Sequence, residues 1–200
     1  MNSLKNKVVG IIGAGHIGKA TATQFLSIGW QVLISNSKGP HTLKDVVSQL
    51  GTGVKAATVA EAAAADIVVI AIPWTKVKDL THLTDWNGKI VIDASNRLEY
   101  GTGTEDGGLA SSEVVQNHLP GARVVKTFNT LLARILAQEP RVGNGKRVLF
   151  ISGDDKDAKS KVIEIINEMG FAAIDLGTLA GGGRLQQFNW PLNDKDFIKF

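Results

Sequence analysis

Cysteine is absent from all 200 residues, which excludes disulfides, thiolate catalysis and Cys-ligated metal. Tyrosine occurs once, at Tyr100, and Thr104 stands four residues on, so no Tyr-x-x-x-Lys catalytic pair exists. Excess charge of either sign is also scarce. The 22 Lys and Arg against 19 Asp and Glu leave a net +3, and the two signs alternate along the chain, so nucleic acid is not the natural partner. No apolar run approaches the roughly 18 to 20 residues of a membrane span, and Met1 to Lys7 lack the apolar core of a signal peptide. The expectation is a cytoplasmic protein with no membrane partner and no metal. At this length the chain can bury one good core but cannot house a large separate substrate domain.

What is present begins with Val8-Val9-Gly10-Ile11-Ile12, an apolar run that breaks into Gly13-Ala14-Gly15-His16-Ile17-Gly18. The run reads as a buried parallel strand followed by a G-x-G-x-x-G turn. Gly13 makes the tight turn, Gly15 lets a pyrophosphate approach the backbone, and Gly18 lets the next helix pack closely. That helix, from about Ile17 to Ile28, aims its N-terminal amides at the phosphates, and His16 is placed to touch them. A dinucleotide site is the expectation.

The second apolar run, Gln31 to Ile34, ends in Ser35-Asn36-Ser37-Lys38, beginning 22 residues after Gly13. An Asp or Glu there would bind a ribose 2'-OH and repel a 2'-phosphate. No carboxylate is present. Ser35, Asn36 and Ser37 offer neutral hydrogen bonds and Lys38 a positive charge, which together predict NADP(H). The competing reading of this segment is a polar turn before a helix.

Strands and helices then alternate to the end, the pattern of an α/β, doubly wound Rossmann-type fold: a mainly parallel sheet of about eight strands with helices on both faces. Leu43 to Leu50 reads as a helix and Val54 to Ala56 as a strand. Thr58 and Glu61 form a capping box at the start of another helix. Further strands are expected at Asp66 to Ile72, Lys89 to Asp93, Arg123 to Lys126, Arg147 to Ser152 and Ala172 to Asp175. Helices are expected from Thr130 to Gln138 and from Asp157 to Met169, the latter ended by Gly170. The long Gly-rich stretch Glu99 to Ala110 reads either as a flap or as a plain connection. The domain expectation is one NAD(P)-binding unit over 1–200.

Ligands of such sheets sit beyond the carboxyl ends of the strands, near the reversal of strand order. The suspects there are His16, Ser35 to Lys38, Pro73, Trp74, Ser95, Asn96 and Lys126 to Asn129. Trp74 could stack beside a nicotinamide or simply pack. Asn96 could orient the nicotinamide amide or ribose, or cap a turn. Lys126 could be a catalytic cation or a solvated strand end.

Taken together, Gly13 to Gly18, Ser35 to Pro40, Ala71-Ile72-Pro73-Trp74, Val125 to Thr130 and Asp175-Leu176-Gly177-Thr178-Leu179 resemble the NADP oxidoreductase, coenzyme F420-dependent family. Its best known members pass hydride between NADP and an 8-hydroxy-5-deazaflavin. The chain is also similar to the cytoplasmic reductase domain of six-transmembrane ferric reductases, in which NADPH reduces a flavin. The resemblance implies that Gly13, Gly15 and Gly18 hold the pyrophosphate, Ser35 to Lys38 the 2'-phosphate, and Ile72, Pro73, Trp74 and Asn96 flank the nicotinamide. Lys126, Phe128 and Asn129 would border the acceptor, and residues 140–200 would extend the sheet and close the acceptor site. A dimer is mildly favoured, with the apolar tail of Phe188, Trp190, Phe197, Ile198 and Phe200 as its candidate contact. Two departures fall on the acceptor side: Thr178 replaces the usual Pro, and the long C-terminal helix is cut short at Asn189-Trp190-Pro191.

Hydride transfer to a flavin or deazaflavin needs stacked rings with the reacting carbons about 3 to 3.5 Å apart, so most of the catalysis is positioning. The lack of an evident acid/base pair fits that chemistry better than carbonyl reduction. A small carbonyl or imine reductase using Lys126, and a non-catalytic NADP(H) sensor, remain as alternatives. Trp74 and Phe128 packed over the nicotinamide would favour the sensor, whereas an open slot would favour the enzyme.

Overall fold

The computed structural model describes residues 7–98 and 107–200. Tyr100, Thr104 and most of the Glu99 to Ala110 stretch lie outside the described residues. In chain order the elements are β1 Val8–Ile12, α1 His16–Ser27, β2 Gln31–Ser35, α2 Lys44–Leu50, β3 Val54–Ala57, α3 Val59–Ala63, β4 Ile67–Ile70 and β5 Ile90–Asp93. There follow α4 Ser111–His118, β6 Arg123–Lys126, α5 Ala133–Leu136, β7 Arg141–Val142, β8 Gly145–Gly153, α6 Lys156–Met169, β9 Ala172–Asp175 and β10 Ile198–Lys199. Short 3-10 helices cover Pro40–Leu43 and Trp74–Leu80, and a π-helical turn covers Leu179–Gly183. Among the described residues no helix is long and apolar enough to cross a membrane.

The strands form one sheet in the order β10-β8-β6-β5-β4-β1-β2-β3, with β7 and β9 pairing to β8. From β3 through β6 every pair is parallel. Alternation of side chains along these strands divides the core in two. Ile67, Val69, Ile90 and Ile92 face a cluster roofed by α1 and α6, and Val68, Ile70 and Val91 face one roofed by α3 and α4. Gly10 lies where α3 crosses β1: a Cβ there would stand 1.8 Å from the Ala62 carbonyl oxygen, so only glycine permits this approach.

The capping box at α3 forms, with Thr58 Oγ1 accepting from the Glu61 amide at 3.2 Å and Glu61 accepting from the Thr58 amide at 2.7 Å. Hydrogen bonds from the Thr58 backbone and then its hydroxyl hold the Glu61 carboxyl below its ordinary range. The folded value is the lower one, so the cap contributes fully above the ordinary carboxylate range and is lost as pH falls through the depressed value. Thr58→Ala is expected to cost about 1 kcal/mol in thermal melts at neutral pH and to lessen the loss of stability with acid.

Three features differ from the sequence expectation. The eighth strand in chain order, the one expected at Arg147 to Ser152, runs antiparallel to β6, pairing Val125 with Gly153 and Lys126 with Ser152. The β7 to β8 hairpin, turning at Gly143 with φ 56, reverses the chain before it enters the sheet. The helix expected over Thr130 to Gln138 shrinks to Ala133–Leu136. Its proposed first residues are held elsewhere, since the Thr130 carbonyl accepts the Asp194 amide and Phe128 sits at φ 65. Ten strands replace about eight because β7 and β10, two residues each, are too short to show a period. Of the C-terminal aromatic tail, Trp190, Phe197 and Phe200 are exposed, although Phe197 also stands edge-on to Phe150.

Candidate functional site

Strand order reverses between β1 and β4, because the chain leaves β1 for β2 and β3 and returns to β4 on the other side. The crevice this opens lies at Ile12 and Ile70, the carboxyl ends of the two strands. The glycine turn occupies it. Gly13 has φ 114, donates its amide to the Ser35 carbonyl at 3.0 Å, and would place a Cβ 2.2 Å from the Ala71 carbonyl oxygen. Gly18 would place one 1.9 Å from the Gly13 carbonyl oxygen, which explains why α1 can start so close to the turn. Gly15 differs. It is exposed, and nothing lies within 4 Å of where its Cβ would be.

Gly15 caps α1 with no side chain to accept from the first helical amides, and the first turn carries no acidic residue. His16 is exposed and Ile17 half-buried beside it. The positive end of a twelve-residue helix thus opens on a gap with no competing anion.

At the end of β2 the structure divides the four polar residues. Ser35 is fully buried and donates its hydroxyl to the Ile11 carbonyl at 3.0 Å, so its only hydroxyl hydrogen serves the sheet. It is therefore withdrawn from the phosphate contacts expected of it. Asn36 builds the turn, accepting from the Lys38 amide at 3.0 Å and donating to Thr42 Oγ1 at 2.9 Å. Ser37 and Lys38 stand exposed on that turn.

Beyond β4 and β5, Pro73, Trp74, Thr75, Asn96, Arg97 and Leu98 line a cavity of about 120 Å³. Ile72, half-buried, precedes Pro73 just after β4. Trp74 donates its indole N–H to the Ser111 carbonyl at 3.0 Å, and the Arg97 guanidinium lies 4.7 Å from its ring centre. The first contact ties the indole to α4, and the second sets Arg97 over its ring on the wall the cavity shares with Asn96. Asn96 exchanges hydrogen bonds with Asn129: its Nδ2 donates to the Asn129 carbonyl at 3.1 Å, and its Oδ1 accepts from Asn129 Nδ2 at 3.0 Å.

Behind the cavity lies a polar cluster with no water-facing edge. Asp93 and Lys126, both with fully buried side chains, pair at 3.3 Å. Asp93 Oδ1 accepts from the Ser95 amide at 3.0 Å and the Ser95 hydroxyl at 2.6 Å, while Oδ2 accepts from the Ser112 hydroxyl at 2.5 Å. Lys126 Nζ also donates to the Ser95 carbonyl at 3.1 Å. Gln186, from the C-terminal segment, is buried against the strand ends: its Nε2 donates to the Phe150 carbonyl at 3.1 Å, and its own carbonyl accepts Asn129 Nδ2 at 2.7 Å.

Three expectations about this side are corrected. Lys126 is neither solvated nor open to a substrate, because its ammonium is spent on Asp93 and Ser95. Phe128 does not border an acceptor: its positive φ turns the ring into the core, edge-on to Phe25 at 6.4 Å. Ser95 is 2% exposed with its hydroxyl given to Asp93, so it meets no ligand directly. Asn129, also 2% exposed, gives its side-chain amide to Asn96 and the Gln186 carbonyl. Asp93, Ser112 and Gln186 were not anticipated. A charged residue closing the otherwise apolar strand Ile90-Val91-Ile92 was the available signal for Asp93; Ser112 and Gln186 carry none.

Comparison with known proteins agrees with this fold. A hypothetical protein from Sinorhizobium meliloti has a crystal structure that superposes with a TM-score of 0.89, at 43% identity, over 98% of this chain and 96% of that one. A proposed F420-dependent NADP-reductase from Arthrobacter sp. FB24 superposes with a TM-score of 0.72 at 28% identity, over 90% and 89%. Rat metalloreductase STEAP3 is 30% identical over 186 residues, which are 89% of this chain and 35% of that protein. The chain spans about a third of the length of the curated relatives it matches. Residues 8–97, from β1 through the Asn96 turn, match the model of the NADP oxidoreductase, coenzyme F420-dependent family, so that this segment is a domain of a family of NADP-dependent oxidoreductases.

Proposed function

We propose that the chain binds NADPH across the β1/β4 crevice and passes its hydride to a flavin or deazaflavin at the cavity between Trp74 and Asn96. The observation that carries this reading is the open space over Gly15, set between two glycines whose own Cβ positions are blocked by backbone. Gly13 and Gly18 make the turn; Gly15 leaves the room that a pyrophosphate takes, and the His16 and Ile17 amides at the start of α1 face it. Ser37, Lys38 and the free hydrogen of Asn36 hold the 2'-phosphate, with no carboxylate at that turn to repel it. Bound NADPH supplies the hydride. Ile72, Pro73, Trp74 and Asn96 flank the nicotinamide and set the face it presents, which is the positioning such a transfer requires.

The burial of Lys126 weighs against a carbonyl or imine reductase that uses this ammonium as its acid. The slot beside Trp74 weighs against a sensor with a sealed nicotinamide. A second copy of the chain would cover Trp190 and Phe200, and sedimentation of wild type beside Trp190→Ser tests that contact.

Stopped-flow mixing of the NADPH-loaded protein with FMN, FAD and a deazaflavin tests the acceptor. Oxidation by one of them in a single fast phase supports the proposal; tight NADPH binding without oxidation by any would overturn it. Lys38→Ala is expected to weaken NADPH binding roughly 10- to 30-fold and leave NADH binding unchanged, read by calorimetry.

A further inference from the structure

We infer that Asp93 is a positioning residue for the nicotinamide end of the site, acting through Ser95 on Asn96; the inference rests on the reading of Asn96 as a nicotinamide neighbour. Four hydrogen bonds reach the Asp93 carboxylate from three separate parts of the chain: Ser95 after β5, Ser112 on α4 and Lys126 at the end of β6. Two of them come from Ser95 itself. Lys126, held by the same carboxylate, grips Ser95 by its carbonyl. The peptide units on both sides of Ser95 are thus clamped, and the second of them leads directly into Asn96.

The Asn96 side chain is fixed from the other direction. Its reciprocal pair with Asn129 occupies one hydrogen of Nδ2 and one lone pair of Oδ1. Asn129 is locked in turn by Gln186, which accepts from its Nδ2 and donates to its Oδ1. What remains on Asn96 is one N–H and one lone pair, on a half-buried residue that lines the cavity. One donor beside one acceptor is the complement of a primary carboxamide, the polar group that nicotinamide carries.

A carboxylate is needed for this because it accepts at four sites, whereas an asparagine amide in its place would turn an NH2 toward Ser95 or toward Ser112 and Lys126. In Asp93→Asn one side of the clamp loses its acceptor, and Asn96 is no longer held at one angle. Among the described residues the Asp93 carboxylate bonds only Ser95, Ser112 and Lys126, so the hydrogen bonds of the glycine turn and of the Lys38 turn do not involve it.

The test compares Asp93→Asn with wild type using two ligands. One is 2',5'-ADP, which carries the 2'-phosphate but no nicotinamide; the other is NADPH, followed by both affinity and the fluorescence of the bound reduced ring. The expected result is an unchanged affinity for 2',5'-ADP, a loss of roughly 3- to 10-fold for NADPH, and an altered emission of the bound ring. Equal behaviour of variant and wild type toward both ligands would overturn the inference, as would parallel weakening of both. If Asp93→Asn does not fold, Asp93→Asn with Lys126→Met, which removes both buried charges, is read by the same criteria. Wild type that binds 2',5'-ADP but gains nothing from the nicotinamide end overturns the placement of Asn96. Wild type that binds neither ligand overturns the NADPH reading itself, so the two failures are told apart.

Discussion

Gly15→Val leaves the chain folded and removes most of its affinity for NADPH. The backbone at Gly15 has φ −77 and ψ −166, which any residue adopts, and the added atoms start in space with nothing within 4 Å. Glycine caps a helix better than valine, so the variant loses about 1 kcal/mol of stability from the weaker cap, too little to unfold the chain. The same atoms fill the gap over the turn where the pyrophosphate is placed. Forced overlap of this kind costs about 1 to 3 kcal/mol, roughly 5- to 150-fold in affinity. Gly18→Ala supplies the contrast. Its Cβ would overlap the Gly13 carbonyl at 1.9 Å, so the variant loses stability before any ligand is added. Melting curves beside NADPH titrations separate the two: a Gly15→Val protein that binds NADPH like wild type would remove the pyrophosphate from this turn.

Lys126→Met destabilises the protein by about 3 to 5 kcal/mol, because it leaves the Asp93 carboxylate buried without its cation. The two serine hydroxyls and the Ser95 amide still donate to it, which keeps the loss near the lower end of that range. Combining Lys126→Met with Asp93→Asn removes both charges and restores a large part of the loss, since the cost lies in the unpaired ion and not in the missing bridge. Denaturant melts of the two single variants and the double variant measure the coupling. Additive losses in the double variant would mean that the two groups stabilise the fold independently.

The β1 to β6 half of the sheet was legible because its strands are continuous apolar runs and its turns carry glycine, proline or a capping box. The glycine turn followed, since its conformation is set mainly by local backbone geometry. The acceptor side did not. Asp93 and Lys126 are 33 residues apart and become partners only because β5 and β6 pair in register, a fact no local pattern carries. Phe128 reads the same whether it faces a pocket or the core, and a single positive φ decides between them. Ser35 looks like a phosphate donor until the neighbouring strand offers it the Ile11 carbonyl. Residues whose surroundings are set by tertiary neighbours were misread or missed, whereas the turn and cap that local backbone geometry sets were readable.

Calorimetric titration of the wild-type protein with NADPH and with NADH tests the central claim most directly. An exposed Lys38 beside Ser37, with no carboxylate at the turn, predicts that NADPH binds at least roughly tenfold more tightly than NADH. Equal affinity for the two would contradict the assignment of this turn to a 2'-phosphate, and failure to bind either would contradict the dinucleotide site as a whole.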